Sequence, residues 1–380
     1  MCLLETGYWL STPMKLLWLE LGSFRAYRSL HFEPGAGVNV LIGDNGTGKT
    51  SILEAIGYLA SLRSFRNAPD ASLVADGSDE AIVRGEFTAA DRSSLVEIAI
   101  PAQGRRSVLL DGKRPKGRAE IAERVALVAF LPDDLDLVKR GPAYRRDYLD
   151  EAAVQVWPVA ASEFGEYDRA VRQRNALLRR DGHNADVTTL DVLDEKLSSL
   201  GSVVLARRLA VVALLEPVVA ELYGELSERP GRVEWRYQAA GLGEPDRESS
   251  ADSLRTLLGD ALAGARAGDL DRRITTVGPH RDEVVMLIDG RDVRTRASQG
   301  EQRSIALGLR VAAYRVLLDR RGTPPVLLLD DVFSELDPGR GERLVGQLPQ
   351  GQVFVTSARE EEVPLVGDRW TVSTDGVRAA

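Results

Sequence analysis

The 380-residue chain carries one cysteine, Cys2, and only three histidines, His31, His183 and His280. A single thiol excludes an internal disulfide framework and fits a reducing, cytoplasmic setting. The histidines are scattered with no cysteine beside them, so a zinc-type cluster is not expected. Long apolar runs are missing as well. The most apolar stretch, 203–222, is interrupted by Arg207, Arg208, Glu216 and Pro217, and no membrane partner is expected. The opening MCLLETGYWLSTP lacks the basic leader and apolar core of a secretory signal. Strand texture begins at Lys15, which makes Met14 the expected native start. No Asn-Lys-x-Asp base-reading motif occurs, which disfavours a small GTPase, and there are no repeats or low-complexity runs. A net charge of −8 argues against a surface coated for nucleic acid, although a local basic patch survives such a sum.

What is present is organised around residues 38–56. The apolar run Val38-Asn39-Val40-Leu41-Ile42 reads as a buried strand, and Ile52, Leu53, Ile56 and Leu59 mark a helix. Between them GDNGTGKT matches the P-loop pattern in its strand-to-helix context. Gly43, Asp44, Asn45, Gly46, Thr47, Gly48 and Ser51 complete the expected phosphate cradle around Lys49 and Thr50. The glycines let successive N–H groups face one anion, and the helix start adds its positive dipole end. Lys49 is expected on the β- and γ-phosphates and Thr50 on Mg²⁺. A nucleoside triphosphate, ATP with Mg²⁺, is the expected ligand.

With 44% hydrophobic residues the chain can bury a sizeable core, and two domains are expected. Residues 15–21 and 29–32 read as a strand pair, and 81–88 and 95–100 alternate as half-exposed antiparallel strands. Asp111-Gly112 and Asp289-Gly290 are hairpin signals. From about 141 to 180 and from 188 to 228 the texture is helical, with the turn Asp181-Gly182-His183-Asn184 between, so a short arm of two antiparallel helices is expected. A strand at 232–239 and a helix near 254–265 complete this insertion. A strand at 284–288, a helix at 301–318, a strand at 326–329 and a final strand at 353–355 follow. The expected division is 1–138 and 275–380 for the two halves of a head and 139–274 for an inserted helical lobe.

Val326 to Leu329 followed by Asp330-Asp331 supplies the second half of an ATP site. In isolation this could be a core strand capped by solvated acids; beside a complete P-loop, Asp330 is expected to hold Mg²⁺ and Asp331 to polarise water. Ser298-Gln299-Gly300-Glu301-Gln302 contains a capping box between Ser298 and Glu301. Gly300, however, is a poor helix former in a first turn. The stretch resembles the ABC ATPase signature, which acts in trans on the partner's ATP. Ser334-Glu335-Leu336-Asp337 resembles that superfamily's D-loop.

Taken together the motifs resemble the RecF family of recombination mediators, relatives of the SMC and double-strand-break repair ATPases. The carriers are Phe24 to Tyr27, Gly43 to Ile56, Ser64-Phe65-Arg66, Phe130 to Leu135, Pro142 with Arg145-Arg146 and Leu149-Asp150, Gly278 to Asp282, Ser298 to Arg303, and Leu327 to Asp337. The resemblance implies an α/β fold, an ABC-type, SMC-like P-loop ATPase head with an antiparallel β-subdomain and a short helical arm. It also implies an ATP-dependent homodimer, double-stranded DNA binding at the nucleoid, and work with RecO and RecR in directing RecA loading during repair.

Some features depart from the wider ABC pattern. Asp331 replaces the usual glutamate, and Thr356-Ser357 stands where a switch histidine would follow the 353–355 strand. Pro132-Asp133 is the candidate stretch for the absent glutamine loop. Slow, DNA-stimulated hydrolysis is expected. For DNA the candidates are Arg63, Arg66, Arg105, Arg106, Lys113, Arg114, Lys116 and Arg118, as sequence-independent phosphate contacts. Aromatics do not interleave with them, so stacking on single strands is not indicated. Arg172, Arg174, Arg179 and Arg180 read as a solvated helix face, and Tyr27, Tyr144 and Trp157 as packing residues. His280 is expected to bond backbone and shape its loop. The competing classes are the energising subunit of a membrane transporter and the ATPase of a nuclease complex.

Overall fold

The computed structural model describes residues 12–90, 92–227, 231–348, 351–373 and 376–380, and the expectations for Cys2 and for the chain's start fall outside them. Two compact units are formed, one by the chain up to Pro132 together with Ala313–Ala380, the other by Asp133–Ala312.

The first unit is built on two sheets. The larger has the order Gly376–Ala379, Asp368–Ser373, Val38–Ile42, Val353–Ser357, Val326–Asp330, Leu127–Phe130. All neighbours are parallel except the Gly376–Ala379 edge. The strand Val38–Ile42 lies inside this sheet and buries Val40 and Leu41 completely, which explains a run that is apolar except for Asn39, whose buried amide bonds Gly35 and Gly37. The strand expected to be last, 353–355, is followed by two more. Asp368–Ser373 is mostly half-exposed, so its sequence lacks the apolar run that reveals the central strands.

The smaller sheet is antiparallel, in the order Tyr27–Phe32, Lys15–Phe24, Glu80–Ala89, Arg92–Pro101, Ser107–Leu110. Its alternating residues bury Leu16, Leu19, Leu21, Val83, Phe87, Val96 and Ile98 on one face. Asp111 and Gly112 both take positive φ (51° and 74°), as a two-residue I′ turn requires. The chain after them returns only as a single bridge, Leu110 to Lys113.

In the second unit, Pro142–Val156 and Ala160–Asp181 are separate helices, parted at Trp157-Pro158. The 40-residue helix Val187–Leu226, about 60 Å long at 1.5 Å per residue, follows. The expected two-helix arm is a three-helix one. Ala251–Arg272 joins it, and the buried cluster Tyr167, Ala170, Val171, Leu197, Val204, Leu262 and Val277 draws on all three. The lobe also runs beyond the expected 139–274. Strand Glu283–Ile288 pairs antiparallel with Val233–Gln238, so the chain through Ala312 packs with the insertion. Among the described residues no helix is long and apolar enough to cross a membrane.

Candidate nucleotide site

The P-loop turn is held in a form that only glycine accepts. Gly46 and Gly48 take φ of 85° and 102°. A Cβ on Gly48 would lie 2.6–2.8 Å from the Tyr27 ring, and one on Gly43 2.4 Å from the Val372 carbonyl oxygen. Tyr27 therefore does more than fill the core; its buried ring backs the turn. The helix Lys49–Ser61 starts at Gly48 with no side-chain cap, so its first N–H groups remain for an anion. Thr47 folds back instead, its Oγ1 donating to Asp44 O at 2.9 Å. Lys49 Nζ donates to Gly43 O (2.5 Å) and Asp44 O (2.9 Å), which lays its ammonium along the loop. Burial lowers the Lys49 pKa, opposed by Asp331, Asp330 and Asp44.

The strand Val326–Asp330 brings its acid to the P-loop. Thr50 Oγ1 donates to Asp330 Oδ1 at 3.0 Å, and Thr356 Oγ1 donates to the same oxygen at 2.7 Å. Burial raises the Asp330 pKa, while the two hydroxyls oppose the shift. Arg66 also favours the charged form, so it adds to the field of this site. Asp331 takes φ of 50°, and its Oδ1 is buried with no hydrogen-bond partner among the described residues. Hydroxyl and carboxylate oxygens form a donor set suited to a hard divalent cation such as Mg²⁺. An uncapped helix start, a lysine and an orphaned carboxylate oxygen likewise fit a polyphosphate and its water.

Behind the P-loop, fully buried Glu54 receives Arg25 through two hydrogen bonds of 2.9 Å and Ser64 Oγ at 2.5 Å. Ser64 Oγ in turn accepts from the N–H groups of Arg66 and Ala68. All three lie in motifs that carry the family resemblance, but those motifs are separate segments and nothing in the sequence pattern says that these side chains meet.

The other candidates fall into place as follows. In the second unit, Ser298 N donates to Glu301 Oε2 (2.6 Å) and Glu301 N to Ser298 Oγ (3.2 Å), the expected capping box. Ser298 and Gln299 are exposed and Gly300 half-buried, but Gln302 turns inward, its amide bonding Val293 O and Arg294 O. In the first unit, Ser334 Oγ donates to Asp331 O at 2.8 Å, and Asp337 caps Pro338–Gln347 by accepting from Arg340 N.

Of the basic residues, Arg63, Arg66, Arg105, Lys113, Arg114 and Lys116 are exposed. Arg106 is not a free contact: its guanidinium binds Asp70 at 2.9 Å and Tyr58 Oη at 3.0 Å. Arg118 is half-buried at the start of helix Arg118–Arg124. Arg174 departs most from expectation. It shares the buried side of its helix with Tyr167, Ala170, Val171, Leu177 and Leu178, and is itself fully buried. It binds Asp194 (2.6 Å), Asp269 (2.7 Å) and Thr275 (3.0 Å), joining the three arm helices. Arg172, Arg179 and Arg180 are solvent-facing as expected.

His280 Nε2 meets Thr275 O at 3.1 Å and its Nδ1 meets Tyr167 Oη at 2.8 Å. It therefore bonds backbone, as expected. The flanking residues are tied too: Arg208 donates to Pro279 O and makes a bidentate pair with Asp150, and Asp282 accepts from Tyr237 Oη and Ala240 N.

Fold and motifs together define an ABC-type, SMC-like P-loop ATPase head with an antiparallel β-subdomain and an inserted helical lobe. Residues 15–375 match the family described as RecF/RecN/SMC N terminal domain. A DNA replication and repair protein RecF from Frankia alni is 41% identical over 383 residues, covering 97% of this chain and 100% of that protein. The structure of a recombination mediator protein RecF with ATP, described as part of the RecFOR pathway, superposes with a TM-score of 0.91. That match has 28% identity and covers 99% of this chain and 100% of the other. An Smc head bound to the C-winged helix domain of ScpA shares the fold at 16% identity and a TM-score of 0.54, over 96% of both chains. The chain belongs to the RecF family. Neither the transporter nor the nuclease-complex reading is favoured by these relatives.

Proposed function

We propose that this protein is an ATP-dependent DNA-binding protein of recombinational repair, whose head closes as a homodimer over two ATP molecules and grips duplex DNA at the nucleoid. The observation that carries it is the convergence of Lys49, Thr50 and Asp330 at an uncapped helix start. The P-loop N–H groups and Lys49 bind and orient the phosphates, and Thr50 and Asp330 hold Mg²⁺, which screens phosphate charge when bound. Asp331 orients the attacking water. Its side chain is one methylene shorter than the usual glutamate, which supports slow turnover. Ser298, Gln299 and Gly300 are exposed or half-exposed and so available to a second subunit's ATP. Duplex DNA is held by phosphate contacts from the exposed hairpin cations. RecO and RecR are the proposed partners, supported by the RecFOR description of the solved relative.

Light scattering with ATP, ADP or no nucleotide, with and without duplex DNA and at two salt concentrations, tests this reading. ATP-dependent dimerisation with salt-sensitive DNA retention is expected, and Ser298→Arg should abolish dimerisation while sparing ATP binding by the monomer. A monomer indifferent to DNA in every state overturns the reading, and DNA-independent turnover above about 10 s⁻¹ contradicts its clamp-like character.

A further inference from the structure

Thr356-Ser357 stands at the strand end where a switch histidine is found in other ABC ATPases, and Thr356 does not stand idle. Strands Val326–Asp330 and Val353–Ser357 pair in parallel with Asp330 opposite Thr356, so the two side chains are neighbours on one face of the sheet. Thr356 is 1% exposed, and its hydroxyl uses both of its capacities. It donates to Asp330 Oδ1 at 2.7 Å and accepts from Asp331 N at 2.9 Å. A hydroxyl has one hydrogen, and Asp331 N–H is itself a donor, so that hydrogen belongs to the Asp330 bond.

Two orientations follow. Asp330 Oδ1 takes both Thr50 and Thr356 hydroxyls, so its carboxylate plane is set from two sides, and no described group donates to Oδ2. Asp331 sits at φ 50°, a conformation costly for a residue with a Cβ, and the N–H···Oγ1 bond holds it there. We propose that Thr356 is a positioning residue for the magnesium–nucleotide site, its single hydroxyl fixing the Asp330 carboxylate and the Asp331 backbone together. The inference rests on the proposed nucleotide site. It assigns Thr356 a part there without contact to phosphate, unlike a switch histidine.

The test is equilibrium binding of ATP to the full chain by calorimetry, in EDTA and across a Mg²⁺ series. Thr356→Val removes the hydroxyl at constant shape, and is expected to leave affinity in EDTA within about twofold of the parent. The Mg²⁺ concentration giving half of the metal-dependent gain should rise about tenfold, and Thr356→Ser should restore the parent's response. Thr356→Ala and Thr356→Ser form a second pair that differs only by the hydroxyl, and carries the test should the valine variant fail to fold. Equal Mg²⁺ responses in the alanine and serine variants, or a parent-like response in the valine variant, overturn the inference. A parent protein that binds no ATP overturns the nucleotide site itself, and the inference with it.

Discussion

Arg25 and Glu54 meet through two hydrogen bonds, Nε to Oε2 and Nη2 to Oε1, each 2.9 Å long. Arg25 sits after the first strand in a left-handed conformation (φ 52°), and Glu54 is buried in the P-loop helix. Removing the cation leaves a buried carboxylate with only the Ser64 hydroxyl. Arg25→Ala should therefore lower stability by about 3 kcal/mol or more. Urea unfolding of parent and variant checks it, and an unchanged midpoint would deny the pair its structural role.

Lys49→Met should weaken ATP binding by about tenfold or more while leaving thermal stability near that of the parent. The reason is that the ammonium bonds only loop carbonyls within the protein. Calorimetric titration with ATP reads the first effect and a melting curve the second.

The cations after Asp111-Gly112 and Arg106 should separate in their effects. Alanine at Lys113, Arg114 and Lys116 together should weaken duplex binding and make the slope of log affinity against log salt shallower, by about 0.9 for each phosphate that is no longer neutralised. Arg106→Ala should act instead on stability, because its guanidinium is committed to Asp70 and Tyr58. A shared effect on the salt slope would contradict this division.

Arg174→Ala should cost about 3–5 kcal/mol, since it leaves fully buried Asp269 without a cation and Asp194 with Arg266 alone. Replacing Arg174, Asp194 and Asp269 together by apolar residues of similar volume should recover much of that loss. Hydrogen exchange in 160–181 and 251–272 would show whether the arm helices loosen.

His280 gives a pH dependence of known sign. Burial lowers its pKa to about 4, with Arg281, Arg146 and Arg208 adding repulsion and the Thr275 bond opposing. Nε2 must donate to Thr275 O, so Nδ1 accepts from Tyr167 and the ring is neutral. The unfolded chain binds the proton first, at its ordinary value of about 6.5. Stability from this group is thus intact above about 6.5 and falls by up to about 3 kcal/mol as pH drops toward 4. Unfolding measured between pH 7 and 4.5 should be less pH-dependent in His280→Gln than in the parent, and parallel curves would contradict the burial of a neutral ring.

Much of the fold was legible because its signals are local. The Val38–Ile42 run, the glycine spacing, the Ser298–Glu301 box and the two Asp-Gly turns each need only a few consecutive residues, and all four form as read. The strand Asp368–Ser373 escaped because a half-exposed strand carries no apolar run, although it pairs directly with the P-loop strand. Arg174 misled for the opposite reason. An arginine on a helix reads as surface, and only the convergence of Asp194 and Asp269 makes its burial tolerable.

The amino-acid sequence by itself determined the class of ligand and the family, since the P-loop, the acid-ended strand and the signature are short motifs whose chemistry is written in adjacent residues. Only the tertiary structure decided what surrounds them. It placed Thr356 between Asp330 and Asp331, Glu54 between Arg25 and Ser64, and Arg174 at the meeting of three helices. Those contacts join residues 10 to 95 positions apart, and strand register and helix packing, not local propensity, bring them within hydrogen-bond reach.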